Sequence, residues 1–337
     1  MIITEAEITH LFEKFGSSRV LVIGDVMIDA YLSGKVDRIS PEAPVPVVAL
    51  KKRNNMLGGA ANVALNIKAL GAEAILCSVI GNDKQGDEML NLMKNAGLSD
   101  AGIIRSDKRI TTTKFRIIGN RMQMLRIDEE IDTDLDPIDT AAILQRISGL
   151  LTTHKPDVII FQDYNKGVLS PGVIEAVSAM AAKAGIPVAV DPKKKNFSAY
   201  KGITLFKPNL KEVSEGLKIE VNPLSAESLQ EAADVLHLSQ DVRMVMITLS
   251  EHGVFISAKN RLSGDVSAVI PAVLRDIADV SGAGDTVISV AALCLATGTD
   301  PIFLASLSNL AGGLVCEQSG VVPVDKFRLM AEAYTEE

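Results

Sequence analysis

Residues 20–24 read VLVIG, a short apolar run that predicts a first buried strand. The following residues place Asp29 near the carboxyl end of that strand, which is where open α/β sheets bind ligands. A helix is predicted over residues 61–70, because Val63, Ile67 and Leu70 fall on one helical face. This opening, a buried strand followed by an amphipathic helix, indicates an α/β fold.

Short apolar runs continue to alternate with helical patterns along the chain. Alternation of this kind predicts a mostly parallel, doubly wound sheet with helices on both faces. Gly24 is the single glycine among residues 20–31, so this stretch lacks the GxGxxG motif of a dinucleotide-dependent oxidoreductase. We therefore discount that class of enzyme. The further predicted elements are strands at 74–80, 157–161, 187–190, 204–206 and 244–249, and helices at 86–96 and 171–184.

Two segments break this rhythm and predict a small β-lid. Residues 31–57 are polar and contain several prolines, whereas residues 111–128 read TTTKFRIIGNRMQMLRID, which is typical of a β-hairpin. Gly119-Asn120 is the predicted two-residue turn, since glycine tolerates the positive φ that such turns require. We therefore predict one domain over residues 1–337 with lid segments at about 31–57 and 108–128; a hairpin without a lid function is the alternative.

The composition restricts the classes of function. The chain has a formal net charge of −8, so it lacks the basic footprint of a nucleic-acid-binding protein. Cys77, Cys294 and Cys316 are far apart, which favours free thiols in a reducing cytoplasm. The apolar stretch at 286–316 is interrupted by Asp300 and glycines, so core helices explain it better than a membrane span. We expect a cytoplasmic protein that binds neither nucleic acid nor membrane.

The strongest chemical signal reads DVSGAGDT, from Asp279 to Thr286. Gly282-Ala283-Gly284 can wind tightly and bring successive backbone amides to one point, and a helix is predicted to begin directly afterwards. Amides at a helix N-terminus form an anion site. Asp285 would lie in the first helical turn beside that site, where its carboxylate could act as a base; the alternative is a helix-capping Asp.

Two more motifs could contact a sugar. Gly58 and Gly59, in GGAAN, would let a sugar approach the backbone closely, and Asn62 can bond to vicinal hydroxyls. Asp29 could accept hydrogen bonds from sugar hydroxyls. Loop glycines, a capping Asn and a solvated carboxylate are the plainer alternatives.

A fourth motif, NLKE, follows the strand predicted at 204–206. Asn209 and Glu212 are three residues apart and face the same side of a helix start. Glu212 could hold Mg²⁺ through water, since Mg²⁺ gives up its hydration shell reluctantly. A simple helix-capping pattern is the alternative. The P-loop motif GxxxxGK[ST] is absent, which excludes that class of kinase.

Together, GGAAN and DVSGAGDT resemble the two-part signature of the PfkB carbohydrate kinases, and the likeness covers about residues 18–326. The segments VLVIGDVMIDAYLSGKVDRISPEAPVPVV and QDYNKGVLS are similar to the D-glycero-β-D-manno-heptose-7-phosphate kinases. The resemblance implies a ribokinase-like α/β fold and phosphoryl transfer from ATP to the anomeric hydroxyl of that heptose phosphate, for ADP-heptose and lipopolysaccharide core synthesis. Alternatives are a kinase for ribose, fructose or a fructose phosphate, and a non-catalytic sugar or nucleotide sensor.

The same resemblance implies roles for individual residues. Asp285 would be the catalytic base and residues 282–284 the anion hole, with Asp29, Gly59 and Asn62 at the sugar. The other implied residues are Asn209 and Glu212 for ATP phosphate and Mg²⁺, Thr248, Ser250, Gly253 and Asn309 for the nucleotide, and Asp279 and Ser281 for a monovalent cation such as K⁺.

A sugar phosphate would also need cations for its own phosphate, because the protein is acidic overall. The candidates, each of which could instead be a surface cation, are Lys114, Arg126, Lys166 and Lys193. None of the four histidines forms an HxGH motif, so we expect the nucleotidyltransferase activity of many relatives to come from another polypeptide. Exposed lid strands invite pairing, which favours a homodimer.

Overall fold

The computed structural model describes residues 4–259, 264–273 and 275–334. The strands of the described part are β1 (Arg19–Gly24), β2 (Val26–Ile39), β3 (Pro46–Gly59), β4 (Glu73–Gly81), β5 (Ile103–Ser106), β6 (Thr113–Gly119), β7 (Met122–Glu129), β8 (Val158–Gln162), β9 (Val188–Asp191), β10 (Leu205–Phe206), β11 (Met244–Thr248), β12 (Val254–Ala258) and β13 (Val266–Ile270). The α-helices are α1 (Glu5–Ser17), α2 (Ala60–Ala69), α3 (Lys84–Asn95), α4 (Pro137–His154), α5 (Pro171–Ala184), α6 (Leu210–Leu217), α7 (Ala226–Gln240), α8 (Ala283–Ala296), α9 (Pro301–Cys316) and α10 (Lys326–Ala333).

The larger sheet confirms the predicted α/β fold. Its strand order is β13-β12-β11-β10-β9-β8-β1-β4-β5, and every neighbouring pair is parallel except those made by β12. The chain starts in the interior at β1, adds β4 and β5 on one side and then returns to add β8 on the other. In open α/β sheets such a reversal marks the ligand site, at the carboxyl ends of the strands.

The first strand shows why helices cover both faces of this sheet. Side chains alternate along a strand, so Val20 and Val22 join one apolar cluster while Leu21 and Ile23 join another. Helices α2, α8 and α9 supply much of the first cluster, and α4, α5 and α7 much of the second. Burial on both faces explains why the strand reads as a continuous apolar run.

A second sheet forms the predicted lid, in the order β3-β2-β6-β7. Its first two strands are longer than the predicted segment at 31–57, because β2 begins at Val26 and β3 runs to Gly59. The initial residues of β2 are buried, whereas its distal residues are partly or fully exposed. The lid therefore continues directly from the carboxyl end of β1, at the predicted ligand site of the larger sheet. That the chain forms a single domain stays a prediction.

The turn of the lid hairpin was predicted one residue too early. Gly119 pairs with Met122 and belongs to β6, whereas the turn residues are Asn120 and Arg121, with φ of 52° and 70°. Asn120 tolerates this conformation because its side-chain amide bonds across to Val36, accepting from the backbone N–H at 3.2 Å and donating to the carbonyl at 3.0 Å. The turn was predicted at Gly119 because glycine is the usual residue at positive φ. The sequence alone does not show that Asn120 bonds to Val36.

Within the residues that the structure describes, none of the helices combines the length and apolar character that crossing a membrane requires.

Candidate active site

Asp285 lies in the first turn of α8, with its carboxylate directed towards two other elements. Its Oδ2 accepts from Asn62 Nδ2 of α2 at 2.7 Å. Its Oδ1 accepts from Gln162 Nε2 at the end of β8 at 3.0 Å and from the Tyr164 hydroxyl at 2.7 Å. Gly282, and not Asp285, is the residue at the N-cap of α8. The structure therefore does not support the helix-capping alternative.

The environment of Asp285 suits a proton acceptor. Burial raises the pKa of Asp285 to about 6, and Asp191 raises it as well, while the hydrogen bonds from Asn62 and Tyr164 and the charge of Lys207 oppose that rise. A carboxyl group with such a pKa is ionised at neutral pH yet remains basic enough to take a proton from a hydroxyl.

The glycine turn before Asp285 needs one correction. Gly282 has φ of 82°, so the left-handed conformation that favours glycine occurs there. Gly284 lies inside α8 and has no positive φ; a β-carbon at this position would lie 3.7 Å from Asp191 Oδ2 and 3.8 Å from Lys207 Nζ, which are ordinary contacts. The tight winding predicted for residues 282–284 therefore depends on a positive φ at Gly282 and not at Gly284. Gly284 is exposed, and the atoms nearest to its missing β-carbon belong to the Asp191 carboxylate and the Lys207 ammonium group.

The backbone amides of the turn are not equally available. The Ala283 N–H donates to the Val280 carbonyl at 3.3 Å, so only part of the predicted anion hole at 282–284 is open. Amides in the first helical turn have no carbonyl partner within the helix. Gly284 and Asp285 occupy that turn, and their N–H groups are the ones placed to receive an anion.

Three polar residues at the ends of adjacent strands were missed. Gln162 ends β8, Asp191 ends β9, and Lys207 directly follows β10. Lys207 Nζ lies 3.1 Å from Asp191 Oδ2, and Gln162 Nε2 lies 3.3 Å from the same oxygen. All three are buried. A polar residue recurring at the carboxyl end of each predicted strand was the signal that could have found them.

The loop after β8 is fixed by Asp25, another residue without a predicted role. Asp25 accepts from the backbone amides of Tyr164, Lys166 and Val168, at 2.9, 3.0 and 3.0 Å. The Arg109 guanidinium also donates to the Lys166 carbonyl. Asp25 is almost completely buried and directly follows β1, so several hydrogen bonds hold this loop at the carboxyl end of that strand. The attachment sets the position of Tyr164 beside Asp285.

On the predicted sugar side, two residues already have partners. Asp29 is buried and forms an ion pair with Arg116, whose guanidinium also lies 5.2 Å from the centre of the Tyr31 ring. A β-carbon at Gly58 would collide with the Asp29 carboxylate, so this glycine makes room for Asp29 as well as for any ligand. Gly59 has φ of 61° and directly precedes α2. Asn62 is completely buried and contacts Asp285 directly.

On the predicted nucleotide side, Asn209 and Glu212 form a capping box at the start of α6. Asn209 Oδ1 accepts from the Glu212 N–H at 2.8 Å, and Glu212 Oε2 accepts from the Asn209 N–H at 2.9 Å. The other oxygen of Glu212 pairs with Lys193. Burial alone would lower the pKa of Lys193, but Asp191 and Glu212 together raise it above its ordinary value, so this side chain is a permanent cation.

The other residues predicted to bind the nucleotide lie in separate parts of the structure. The Thr248 backbone bridges to that of Asn209. Ser250 is exposed with φ of 54°, and Gly253 has φ of 90° beside the start of β12. Asn309 of α9 donates to the Pro271 carbonyl at 2.8 Å. In the part of the chain that the structure describes, no hydrogen bond joins Thr248, Ser250, Gly253 or Asn309 to Asp285.

The cations predicted to hold the substrate phosphate are paired with carboxylates. Lys114 Nζ lies 3.2 Å from both Asp128 and Glu130, and Lys166 Nζ lies 2.8 Å from Glu130. Glu130 thus connects a lid lysine to a loop lysine. Arg126 pairs with Asp128, but its side chain is 53% exposed. The fourth candidate, Lys193, belongs to the separate group around Glu212.

Asp279 and Ser281 lie together just before the glycine turn. Asp279 accepts from the Ser281 N–H at 2.9 Å and the Gly320 N–H at 3.0 Å. Burial alone would raise the pKa of Asp279, but the hydrogen bonds from Ser281 lower it overall, so the carboxylate stays charged. Among the residues that the structure describes, no group of three or more His, Cys, Asp or Glu side chains could hold a metal ion.

Comparison with known sequences finds a family whose profile matches most of the chain. The sequence profile of the family described as "pfkB family carbohydrate kinase" matches residues 17–326. The chain is 42% identical to the bifunctional protein HldE of Caulobacter sp. (strain K31) over 98% of its own length, and 40% identical to the bifunctional protein HldE of Methylobacillus flagellatus over 94%. It spans 65% and 64% of these two relatives, respectively, so a further part of each has no counterpart in this chain.

Solved structures share the fold at low sequence identity. Phosphofructokinase-2 from Escherichia coli in complex with potassium superposes with a TM-score of 0.73 at 17% identity, covering 95% of this chain and 98% of that one. Arabidopsis thaliana ribokinase complexed with ribose and ATP gives a TM-score of 0.69 at 16% identity, covering 93% and 99%. At such identities the likeness concerns the fold alone.

Proposed function

Because the chain belongs to the pfkB family of carbohydrate kinases, we propose that it transfers the γ-phosphoryl group of ATP to the anomeric hydroxyl of D-glycero-β-D-manno-heptose 7-phosphate. The product would be the 1,7-bisphosphate, a precursor of ADP-heptose and the lipopolysaccharide core. The observation that carries the proposal is the buried Asp285 carboxylate, which lies in the first turn of α8 beside open backbone amides. A separate nucleotidyltransferase acting later on the product stays a prediction.

In this reaction Asp285 takes the proton of the attacking hydroxyl. The amides at the start of α8 and the nearby Lys207 stabilise negative charge on the phosphoryl group as it moves. Lys193 adds a second cation on the side of Glu212. Phosphoryl transfer depends mainly on positioning and electrostatic stabilisation, which matches a site built from fixed charges and amides.

Glu212 and the Asp279 loop are the proposed cation-holding residues. Bound Mg²⁺ would neutralise phosphate charge, and Glu212 would reach it through water. Both Glu212 oxygens already have partners in the structure, so this contact fits only if Lys193 releases Oε1. K⁺ near Asp279 and Ser281 is proposed from the family resemblance and from the potassium complex of a fold relative.

The lysine pair on Glu130 supports a phosphorylated acceptor. Lys114 and Lys166 each have only 16% of their side chains exposed, and they meet on a single carboxylate. A sugar phosphate carries about −1.5 to −2 charges near neutral pH. It could replace Glu130 between the two ammonium groups, since phosphate oxygens are strong acceptors for both. The lid would then close onto the sugar phosphate through Lys114.

The variant Lys114→Met tests this role. Hydrogen bonds to charged groups are worth about 1.5–3 kcal/mol, so we expect KM for the heptose 7-phosphate to rise by about 10- to 150-fold. KM for ATP should change little. Lys35→Met removes a lid lysine that pairs with the exposed Asp37, and it serves as the matched control. An equal rise in both variants, or no rise with Lys114→Met, would contradict the proposed phosphate contact.

We also propose that the protein is a homodimer that pairs through the lid. The lid exposes large apolar side chains, including Leu50, Met122 and Leu125, at 54%, 69% and 56%. An exposed apolar patch on strands commonly marks an interface. Light scattering should therefore give twice the mass of one chain, and Leu125→Lys should reduce that mass. A monomer at micromolar concentration would contradict the proposal.

A further inference from the structure

We propose that Tyr164 is a positioning residue for Asp285: its hydroxyl and the Gln162 amide occupy Oδ1 and leave Oδ2 as the atom that receives the proton. This inference rests on the proposed function and assigns a role to a residue that lies outside the glycine turn.

An ionised carboxylate offers about four lone-pair positions, two on each oxygen. Tyr164 and Gln162 fill both positions on Oδ1, at 2.7 and 3.0 Å. Asn62 fills one position on Oδ2 at 2.7 Å. The remaining position on Oδ2 is the one that a substrate hydroxyl can use, and the proton passes along that hydrogen bond as the oxygen–phosphorus bond forms.

Tyr164 is suited to this role because hydrogen bonds hold its backbone in place. Its own N–H and that of Lys166 both donate to the buried Asp25 carboxylate. Lys193 Nζ lies 5.7 Å from the centre of the Tyr164 ring and covers it. Contacts at the backbone and over the ring hold the Tyr164 hydroxyl against Oδ1 of Asp285. This hydrogen bond restrains rotation of the Asp285 carboxylate. Preorganisation of this kind reduces the reorganisation needed during the reaction.

The protonation states support a donating hydroxyl. Burial, and then the carboxylates of Asp285 and Asp191, raise the pKa of Tyr164 well above its ordinary value, so the hydroxyl keeps its proton. The charged groups that act on Asp285 are Asp191 at the end of β9, Lys207 after β10 and Lys193. The partners from α2 and β8 are the neutral amides of Asn62 and Gln162. Among the described residues, Tyr164 is therefore the titratable side chain that hydrogen-bonds directly to Asp285.

The test is the pH profile of kcat/KM for Tyr164→Phe, which keeps the ring and its contact with Lys193 and removes only the hydroxyl. Losing a donor makes the charged carboxylate less stable, so the acid limb should move upwards by about 1 to 2 pH units. The unmodified protein should show that limb near pH 6, where Asp285 takes up a proton. At pH well above the limb, kcat should return towards the unmodified value.

Tyr200→Phe is the matched control. Its hydroxyl donates to Asp163 at 2.7 Å and does not contact Asp285, although burial raises the pKa of Asp163 to about 6 as well. We expect no movement of the limb in this variant. A limb that moves only with Tyr200→Phe, that moves equally in both, or that moves in neither would overturn the role of Tyr164.

A second variant covers the case in which thermal melting shows that Tyr164→Phe is unfolded. Gln162→Met removes the other donor to Oδ1 and must then shift the limb in the same direction. An unshifted limb in a folded Gln162→Met variant would equally overturn the proposal. A profile of the unmodified protein without any acid limb would instead count against Asp285 as the base, and the role of Tyr164 would fall with it.

Discussion

Replacing Asp285 by Asn is expected to reduce kcat by about 10²- to 10⁴-fold, the usual effect of losing a general base. The amide has nearly the same shape as the carboxylate, but it cannot accept the proton of the attacking hydroxyl. ATP should still bind, because Asp285 contributes a side chain to the acceptor site and its backbone amide remains in the first turn of α8. Steady-state turnover together with ATP binding by calorimetry measures both expectations.

A loss of turnover in the Asp285→Asn variant must be distinguished from a loss of folding. The three groups that contact Asp285 all donate, so an amide at this position would place an NH₂ group against at least one of them. The mismatch costs about 1–3 kcal/mol, which is partly offset because a buried charge is removed. Asp136→Asn makes the same chemical change at the N-cap of α4, where Asn caps equally well. Near-normal turnover in a folded Asp285→Asn variant would remove Asp285 from the mechanism.

The second large effect is expected from Gly284→Ala, which should leave the fold intact and reduce activity by about 10²-fold. The added methyl group has room in the free protein, because its nearest neighbours, Asp191 and Lys207, lie 3.7 and 3.8 Å away. Alanine is also a better helix former than glycine, so the melting temperature should stay equal or rise slightly. The methyl group would nevertheless occupy the space that the moving phosphoryl group needs beside Lys207.

Gly282→Ala provides the contrast within the same turn. Its φ of 82° costs an ordinary residue about 1–2 kcal/mol, and the new β-carbon would lie 3.0 Å from Asn62 Nδ2. We therefore expect Gly282→Ala to lower the melting temperature, whereas Gly284→Ala should not. Full activity in the Gly284→Ala variant would show that the phosphoryl group does not pass this point.

The sequence alone was enough to predict the α/β fold, the lid and the position of Asp285 at a helix start, because each depends on a local pattern. The partners of Asp285 could not be predicted in this way. Tyr164 and Gln162 are more than a hundred residues away from it along the chain, and they meet it because α8 packs against β8 and β9.

Two errors of detail have similar origins. The hairpin turn was placed at Gly119 because glycine is the usual residue at positive φ, yet Asn120 takes that role by bonding to Val36. Tight winding was expected over residues 282–284 as a whole, whereas of the two glycines only Gly282 has a positive φ. In both cases the residue type suggested the conformation, but it did not give the position at which that conformation occurs.

The choice of acceptor is tested most directly by kcat/KM of the unmodified protein with Mg–ATP and each of four sugars. These are D-glycero-β-D-manno-heptose 7-phosphate, ribose, fructose and fructose 6-phosphate. We expect the highest value for the heptose 7-phosphate, with phosphorus NMR showing a new phosphate on the anomeric oxygen and the 7-phosphate retained. A higher value for ribose, fructose or fructose 6-phosphate, or no transfer to the heptose phosphate at all, would contradict the proposed function.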